Sequence, residues 1–120
     1  MVKSVKRRIY HITSAAEWYD AQNIGKYRPS NFAKERFIHC SYSHQLLKVA
    51  DRFYRGQSGL VILVIESSKI NSSFIEENLE GGIELYPHLY GVLPIQAVVE
   101  VIAFPCNTDG SFDLPEELNV

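Results

Sequence analysis

The amino-acid sequence predicts a single α+β domain in which a mixed, split β-sheet is flanked by two main helices. The chain has 120 residues, which is the length of one domain. Hydrophobic residues make up 46% of it and charged residues 22%, so there is enough apolar material to form a core. Strand-like and helix-like segments follow one another without regular strand–helix–strand repetition. We expect the core to span residues 8–105, between a basic N-terminal end (1–8) and an acidic tail (107–120).

The first predicted strand and helix are defined by local signals. Residues 8–13 are β-branched and aromatic at period two, which is typical of a strand. Ser14, followed three residues later by Glu17, is typical of a capping box that opens a helix. Gly25 is expected to end this helix in the manner of a C-cap. Residues 26–30 are expected to be a loop, since the proline in this segment disfavours helix before it.

The middle of the chain predicts a short strand, a second helix and a central strand. Residues 37–41 alternate as a strand does, and Ser43 is expected to cap the helix that follows. The apolar stripe of this helix consists of Leu46, Leu47, Val49, Ala50, Phe53 and Tyr54. Gly56 and Gly59 are expected to end it. Residues 60–65 are apolar throughout, which predicts a strand buried on both faces.

The last third of the chain gives weaker signals. Residues 74–79 suggest one helical turn, and the glycines at 81–82 suggest a tight turn. Residues 84–91 have period two, but Pro87 favours an edge strand or an ordered loop. Residues 98–104 are expected to form the last strand.

Charge, hydropathy and cysteine content exclude several classes of protein. The net charge is -2 and the sequence pI about 6.1, so we expect no binding to bulk nucleic acid. The longest apolar run has six residues, far fewer than the about twenty of a membrane helix, so no membrane partner is expected. Cys40 and Cys106 have no paired spacing, which favours reduced thiols in a cytoplasmic protein.

Histidines in the predicted strands are the candidate functional residues. Two of them lie mid-strand, each two residues before a hydroxyl on the same face: His11 before Thr13, and His39 before Ser41. If these faces line a cleft, imidazoles and hydroxyls suit ribose hydroxyls or phosphate oxygens. Flat surfaces for a nucleobase or a nicotinamide are offered by Tyr10, Tyr42, Tyr86 and Tyr90.

Other uses of these residues remain open from the sequence. A strand histidine is more often structural than functional. A zinc site at His39, Cys40 and His44 is disfavoured, because adjacent strand residues point to opposite faces. Cys40 paired with His88 has the residue types of a nucleophilic dyad, although core packing is the more common role of such a cysteine.

Short strings along most of the chain resemble one family. In order they are YHIT (10–13), W-x-x-A (18–21), G-x-Y-x-P-S (25–30), FIHCS (37–41), Gln45, V-A (49–50), PHLYG (87–91), L-P (93–94) and A-V (97–98). Together they resemble the small bacterial family named domain of unknown function 952. Such proteins are similar in fold to the ADP-ribosyltransferase superfamily, a split α+β sheet whose central cleft holds NAD.

The resemblance implies a small nucleotide ligand, NAD, and a set of site residues. His11 and Thr13 match the first-strand motif whose histidine holds the adenosine-ribose hydroxyls. His39 and His88 are the implied catalytic residues. His39 falls in the strand that supplies a second histidine in the branch similar to tRNA 2′-phosphotransferases, and His88 would belong to a later strand or loop near the cleft. The implied cofactor-binding set is completed by Arg28, placed to neutralise a pyrophosphate, and by Ser41 and Tyr90. No metal is expected.

Two features of the sequence depart from the pattern that the resemblance implies. Most NAD transferases place a glutamate near the cationic ribose centre, and no glutamate lies in an obvious setting for this. Glu66 and Glu84 are candidates only by exclusion. Arg36 stands where relatives usually carry glycine. Three functions therefore remain: an NAD-dependent ADP-ribosyl- or 2′-phospho-transferase, a non-catalytic module that binds a nucleotide or ADP-ribose, and an interaction domain.

Overall fold

The computed structural model describes residues 8–70, 74–78 and 82–118. The strands are β1 (Arg8–Ser14), β2 (Lys26–Tyr27), β3 (Ile38–His39), β4 (Leu60–Glu66), β5 (Phe74–Glu77), β6 (Tyr86–Leu89), β7 (Leu93–Pro94) and β8 (Val98–Phe104). The α-helices are α1 (Ala15–Ile24), α2 (Phe32–Glu35) and α3 (Leu46–Phe53). Single 3₁₀ turns lie at Ser43–Gln45, Ser67–Lys69, Ile95–Ala97 and Glu116–Leu118.

The strands form three antiparallel ladders in the order β1–β4–β8, β2–β7 and β3–β6–β5. The first and third ladders are joined where Tyr10 and Ser41 exchange two backbone hydrogen bonds of 2.8 Å. The α+β class and the split sheet agree with the sequence prediction. The sheet is not mixed in direction, however, since every described strand pair is antiparallel.

The β4 strand lies between β1 and β8 and is buried on both faces, as its apolar run predicts. Alternation along these strands creates two cores on opposite faces of the sheet. The first packs α1 on the sheet through Trp18 and Ala21. The second packs α3 through Leu46 and Ala50. Each helix therefore covers one face of the central ladder.

Helix α1 begins and ends where the sequence predicts. The Ser14 hydroxyl accepts the backbone N–H of Glu17 at 3.1 Å, which satisfies one of the free donors of the first turn. Gly25 ends the helix at φ 98°, a left-handed conformation that favours glycine, and its N–H donates to the carbonyl of Ala21.

The cap of the second main helix differs from the prediction. Tyr42, not Ser43, precedes the 3₁₀ turn, and its backbone N–H donates to the Gln45 side chain at 2.9 Å. Helix α3 then starts at Leu46 and ends before the predicted glycine Gly56. The reason is that the side-chain oxygen of the buried Gln45 accepts the backbone N–H of Tyr42, three residues earlier, which places the start of the turn after Tyr42.

Three further local predictions, for residues 74–79, for Pro87 and for residues 26–30, were wrong because pairing with distant strands determines these structures. The segment predicted as a helical turn forms β5, paired with β6; Leu79 lies outside the described residues. Strand β6 is the middle strand of its ladder, although Pro87 predicts an edge. Its partner β3 is only two residues long and ends before it reaches Pro87, so the missing N–H of the proline removes no hydrogen bond from this ladder. The Pro87 carbonyl still accepts from Cys40 N–H.

The predicted loop at 26–30 contains β2, which pairs with β7. Of the predicted turn at 81–82, Gly81 lies outside the described residues. The predicted last strand agrees with β8.

The acidic tail packs against the domain. The Phe112 ring is buried and stacks on Phe104 with ring centroids 4.7 Å apart. Leu118 also packs against the second core. These contacts cover the outer end of this core. No helix of the described residues is long and apolar enough to cross a membrane.

Arg36 adopts a conformation that explains a glycine preference. It ends α2 at φ 72° and donates its N–H to the Phe32 carbonyl at 2.7 Å. A Cβ costs about 1–2 kcal/mol in this region, while glycine loses about 0.5–1 kcal/mol more backbone entropy. We therefore expect Arg36→Gly to raise the free energy of unfolding by about 0.5–1 kcal/mol in urea denaturation. Arg36→Ala keeps the Cβ and should change it little; equal stabilisation by alanine would refute the backbone explanation.

Candidate functional site

A cleft of about 520 Å³ opens between the end of β1, the α2 segment and one side of α3. This volume lies within the range of small-ligand sites. We call it the central cleft. Its lining residues are His11, Ile12, Thr13, Ser14, Glu17, Tyr27, Pro29, Ser30, Asn31, Glu35, Phe37, His39, Ser41, Val49, Phe53, Tyr54, Gln57 and Leu60.

The structure brings four of the seven sequence-predicted site residues together in the central cleft: His11, Thr13, His39 and Ser41. The backbone bridge between Tyr10 of β1 and Ser41, two residues after β3, holds the two strands side by side. Alternation then turns His11 and Thr13 toward the cleft and Ile12 into the second core. On the other strand, Cys40 enters the first core.

The two ring nitrogens of His11 are both engaged inside the protein. Its Nδ1 lies 2.5 Å from the backbone oxygen of His39, and its Nε2 lies 2.8 Å from the Tyr27 hydroxyl. The Tyr27 hydroxyl also lies 3.0 Å from Thr13 Oγ1. The side chains of His11, Thr13 and Tyr27 therefore form one buried hydrogen-bonded chain that ties β1, β2 and β3 together.

Burial determines the protonation states of His11 and Tyr27 in this hydrogen-bonded group. Desolvation lowers the pKa of His11 from 6.5 to about 4, so the ring is neutral at neutral pH. Since a carbonyl only accepts, Nδ1 carries the proton and Nε2 accepts from the Tyr27 hydroxyl. The Tyr27 oxygen then accepts from Thr13. Burial also raises the pKa of Tyr27, which keeps its hydroxyl protonated.

The ring of His39 belongs to a cluster of aromatic rings with Phe37 and His88, which extends from the wall of the cleft into the protein interior. Its ring centroid is 5.2 Å from Phe37 and 4.5 Å from His88. His88 is 1% exposed, does not line the cleft, and stacks on Phe37 at 4.1 Å. A substrate in the cleft would touch Phe37 and His39 before His88. The structure thus gives His88 no route to direct contact with a ligand in this cleft.

A carboxylate holds His88 from the opposite side. Glu77 Oε1 lies 2.8 Å from His88 Nδ1 and accepts from the Tyr90 hydroxyl at 2.6 Å. Both hydrogen bonds lower the pKa of Glu77, and the one from Tyr90 has the larger effect. Among the described residues, His88 Nε2 is buried without a hydrogen-bond partner. Tyr90, predicted to bind the cofactor, therefore belongs to this support and not to the cleft lining.

Arg28 lies in a neighbouring groove that it lines with Lys26, and the groove joins the central cleft at Glu17 and Ser30. Its guanidinium is 5.6 Å from the centre of the Phe32 ring. A ligand held entirely in the central cleft would not meet Arg28, but one that extends into the groove would.

The aromatic and acidic residues of the cleft were not found from the sequence. The tyrosines proposed for stacking, Tyr10, Tyr42, Tyr86 and Tyr90, do not line the cleft; its rings are Tyr27, Phe37, Phe53 and Tyr54. The sequence predicts a loop at Tyr27, because the partner strand that pairs with it comes 66 residues later. Its position in the G-x-Y-x-P-S string was the available signal.

The candidate glutamates also differ. Glu84 pairs with Lys48 and accepts from Gln45, while Glu66 is buried 3.5 Å from Arg8 Nε, and neither lines the cleft. The carboxylates of the cleft belong to Glu17 and Glu35.

The alternatives based on Cys40 do not fit its position. The thiol is buried in the first core, and desolvation raises its pKa to about 12, which opposes formation of a thiolate. Both cysteines are free thiols. The described part of the chain contains no group of three His, Cys, Asp or Glu side chains placed to hold a metal ion.

Comparison with known families identifies the chain. The model of the family described as "protein of unknown function (DUF952)" matches residues 12–101. The chain belongs to this family. The match contains His39, Tyr27, Glu17 and Glu35, and His11 lies one residue before its start. No match was found among curated proteins.

Solved structures of one bacterial protein share the fold. The crystal structure of protein CC0527 from Caulobacter crescentus has 31% identity and a TM-score of 0.84, and the match covers 94% of this chain and 99% of that one. A crystal structure of its variant with two methionine substitutions gives the same values. Its solution NMR structure has 31% identity and a TM-score of 0.79, covering 92% and 95% of the two chains.

Proposed function

We propose that the central cleft binds NAD and that the protein is an NAD-dependent transferase with an architecture similar to ADP-ribosyltransferases. The observation that carries this proposal is the meeting of His11, Thr13, His39 and Ser41 in one cleft of about 520 Å³. These are the residues for which the sequence resemblance implies a role toward NAD.

The lining chemistry supports the nicotinamide-ribose half of NAD as the occupant. Rings of Phe37 and Phe53 offer flat surfaces, and Asn31, Ser41 and Gln57 offer polar groups for ribose hydroxyls and an amide. The pyrophosphate does not fit among the lining residues, which include no lysine or arginine. It would extend into the adjoining groove, where Arg28 and Lys26 can contact phosphate oxygens, although Glu17 and Asp20 line the same groove and balance their charge.

The proposed reaction breaks the bond between the ribose C1′ and the nicotinamide nitrogen. The electron pair of this bond returns to the ring, which leaves as neutral nicotinamide, while an anionic oxygen of the acceptor, such as a phosphate oxygen, bonds to C1′ with no proton to be removed. Positive charge develops at C1′ in the transition state, and the carboxylates of Glu17 and Glu35 would stabilise it. His39 is the candidate to position the ribose or the acceptor. His88, which is buried behind Phe37, is a candidate positioning residue rather than a catalytic one.

A second candidate function is a non-catalytic module that binds NAD or ADP-ribose. The observation that favours it is the position of His88, one of the two implied catalytic residues, which is buried behind Phe37 and does not line the cleft. Both nitrogens of His11 are engaged inside the protein, so in either candidate the ribose hydroxyls must be held by other lining residues.

Measurement of nicotinamide release separates the two candidates. Wild-type protein is incubated with NAD, with and without added inorganic phosphate as an acceptor, and free nicotinamide is followed by chromatography. We expect release above the rate of NAD alone. NAD binding without any release would support the binding module, and absence of both binding and release would refute the nucleotide proposal.

A further inference from the structure

We infer that the central cleft selects a ligand group that is both aromatic and positively charged, so that it distinguishes the pyridinium of oxidised NAD from the neutral dihydropyridine of NADH. This inference rests on the proposed function and names the ligand class of the same site. It is carried by the charge and the rings of the cleft lining.

The fixed charge of the lining is negative. Glu17 and Glu35 contribute two carboxylates, and none of the lining residues is a lysine or an arginine. Among the described residues, Glu35 and Glu17 make no ion pair, and Glu17 accepts a 3.4 Å hydrogen bond from Ser30 N–H. A cleft that is acidic and partly shielded from water attracts a cation and disfavours an added anion.

The other titratable groups of the lining do not reverse this sign. Burial lowers the pKa of His11 to about 4, so its ring carries no charge at neutral pH. Burial also raises the pKa of Tyr27 and of Tyr54, and both remain neutral phenols. His39 is the remaining ionisable side chain, and one positive charge on it would not cancel two carboxylates.

The aromatic side chains add a second, independent attraction for a cation. Phe37, Phe53 and Tyr54 line the same cleft, and the negative face of an aromatic ring attracts a cation held within about 6 Å; Tyr27 is 1% exposed and offers no open face. The Phe53 ring already takes part in such a contact, since the Arg52 guanidinium lies 5.1 Å from its centre. A flat cationic ring is therefore attracted by both the carboxylates and the aromatic faces, whereas a neutral ring can only stack on the aromatic faces.

The test compares matched charged and neutral probes by calorimetry at neutral pH. The probes are NAD against NADH, and 1-methylnicotinamide, which is a pyridinium, against nicotinamide. We expect the charged member of each pair to bind about fivefold to tenfold more tightly. Glu35→Gln and Glu17→Gln should each weaken NAD by about threefold to tenfold and leave NADH nearly unchanged. Glu116→Gln, in the exposed 3₁₀ turn of the tail, is the control and should change neither.

The outcomes separate this inference from the proposed function. Equal affinities for NAD and NADH, unaffected by Glu35→Gln and Glu17→Gln, would overturn charge selection while NAD binding stands. Binding of 1-methylnicotinamide without binding of either dinucleotide would support charge selection and refute the proposed function. Failure of all four probes to bind would overturn both.

Discussion

His39→Ala is expected to reduce the rate of nicotinamide release by about hundredfold or more. His39 lines the cleft from β3, and its backbone oxygen is the fixed partner of His11 Nδ1. Removal of its imidazole leaves that backbone contact possible, so the loss should come from the missing side chain. The affinity for NAD should fall much less than the rate, because Phe37, Phe53 and the cleft carboxylates remain.

The control for this prediction is His44→Ala. His44 is exposed in the 3₁₀ turn before α3 and does not line the cleft. Its removal should leave both the release rate and the NAD affinity close to those of the wild type. If His39→Ala released nicotinamide as fast as His44→Ala, His39 would have no part in the reaction.

The second large effect is a loss of stability in acid that originates at His11. The folded protein binds a proton on this ring only below about pH 4, whereas the unfolded chain binds it below about pH 6.5. Between these values the unfolded state holds more protons, so the free energy of unfolding rises with pH. The contribution is complete above about pH 6.5 and is lost as the pH falls toward 4. It amounts to about 3 kcal/mol over this interval.

Urea denaturation at several pH values from 7 to 4.5 measures this effect. His11→Gln removes the titrating group, so the difference in stability between wild type and variant should shrink as the pH falls. Carboxylates with lowered pKa values, such as Glu77 and Asp109, lose their contribution in acid in both proteins and cancel in the difference. His44→Gln is the control and should follow the wild type. A constant difference between wild type and His11→Gln across this range would contradict a neutral, buried His11.

Features set by neighbouring residues in the sequence were predictable. Ser14 and Glu17 define the start of α1 by a contact three residues apart, and Gly25 defines its end by its own φ. The burial of β4 follows from its six consecutive apolar residues. The facing of His11 with Thr13, and of His39 with Ser41, follows from strand alternation alone.

Features set by distant pairing were not predictable from local patterns. Tyr27 looks like a loop residue until Leu93 pairs with it, and only then does its hydroxyl reach His11. Phe74 belongs to a strand because β6 is its partner. Glu17 has a local explanation as a helix-start residue, which conceals its place in the cleft wall. The fold class was therefore predictable, while the rings and carboxylates that give the cleft its chemistry required the three-dimensional structure.

Titration of the protein with NAD, followed by NMR of the histidine ring protons, tests the NAD-binding cleft most directly. His39 lines the cleft and should show large, saturable shifts, with smaller shifts at His11, whose ring is held by Tyr27. His44, outside the cleft, should not move and serves as the internal reference. Saturable shifts confined to His39 and His11 are the predicted result. Unchanged resonances of both residues at millimolar NAD would contradict the binding of NAD in the central cleft.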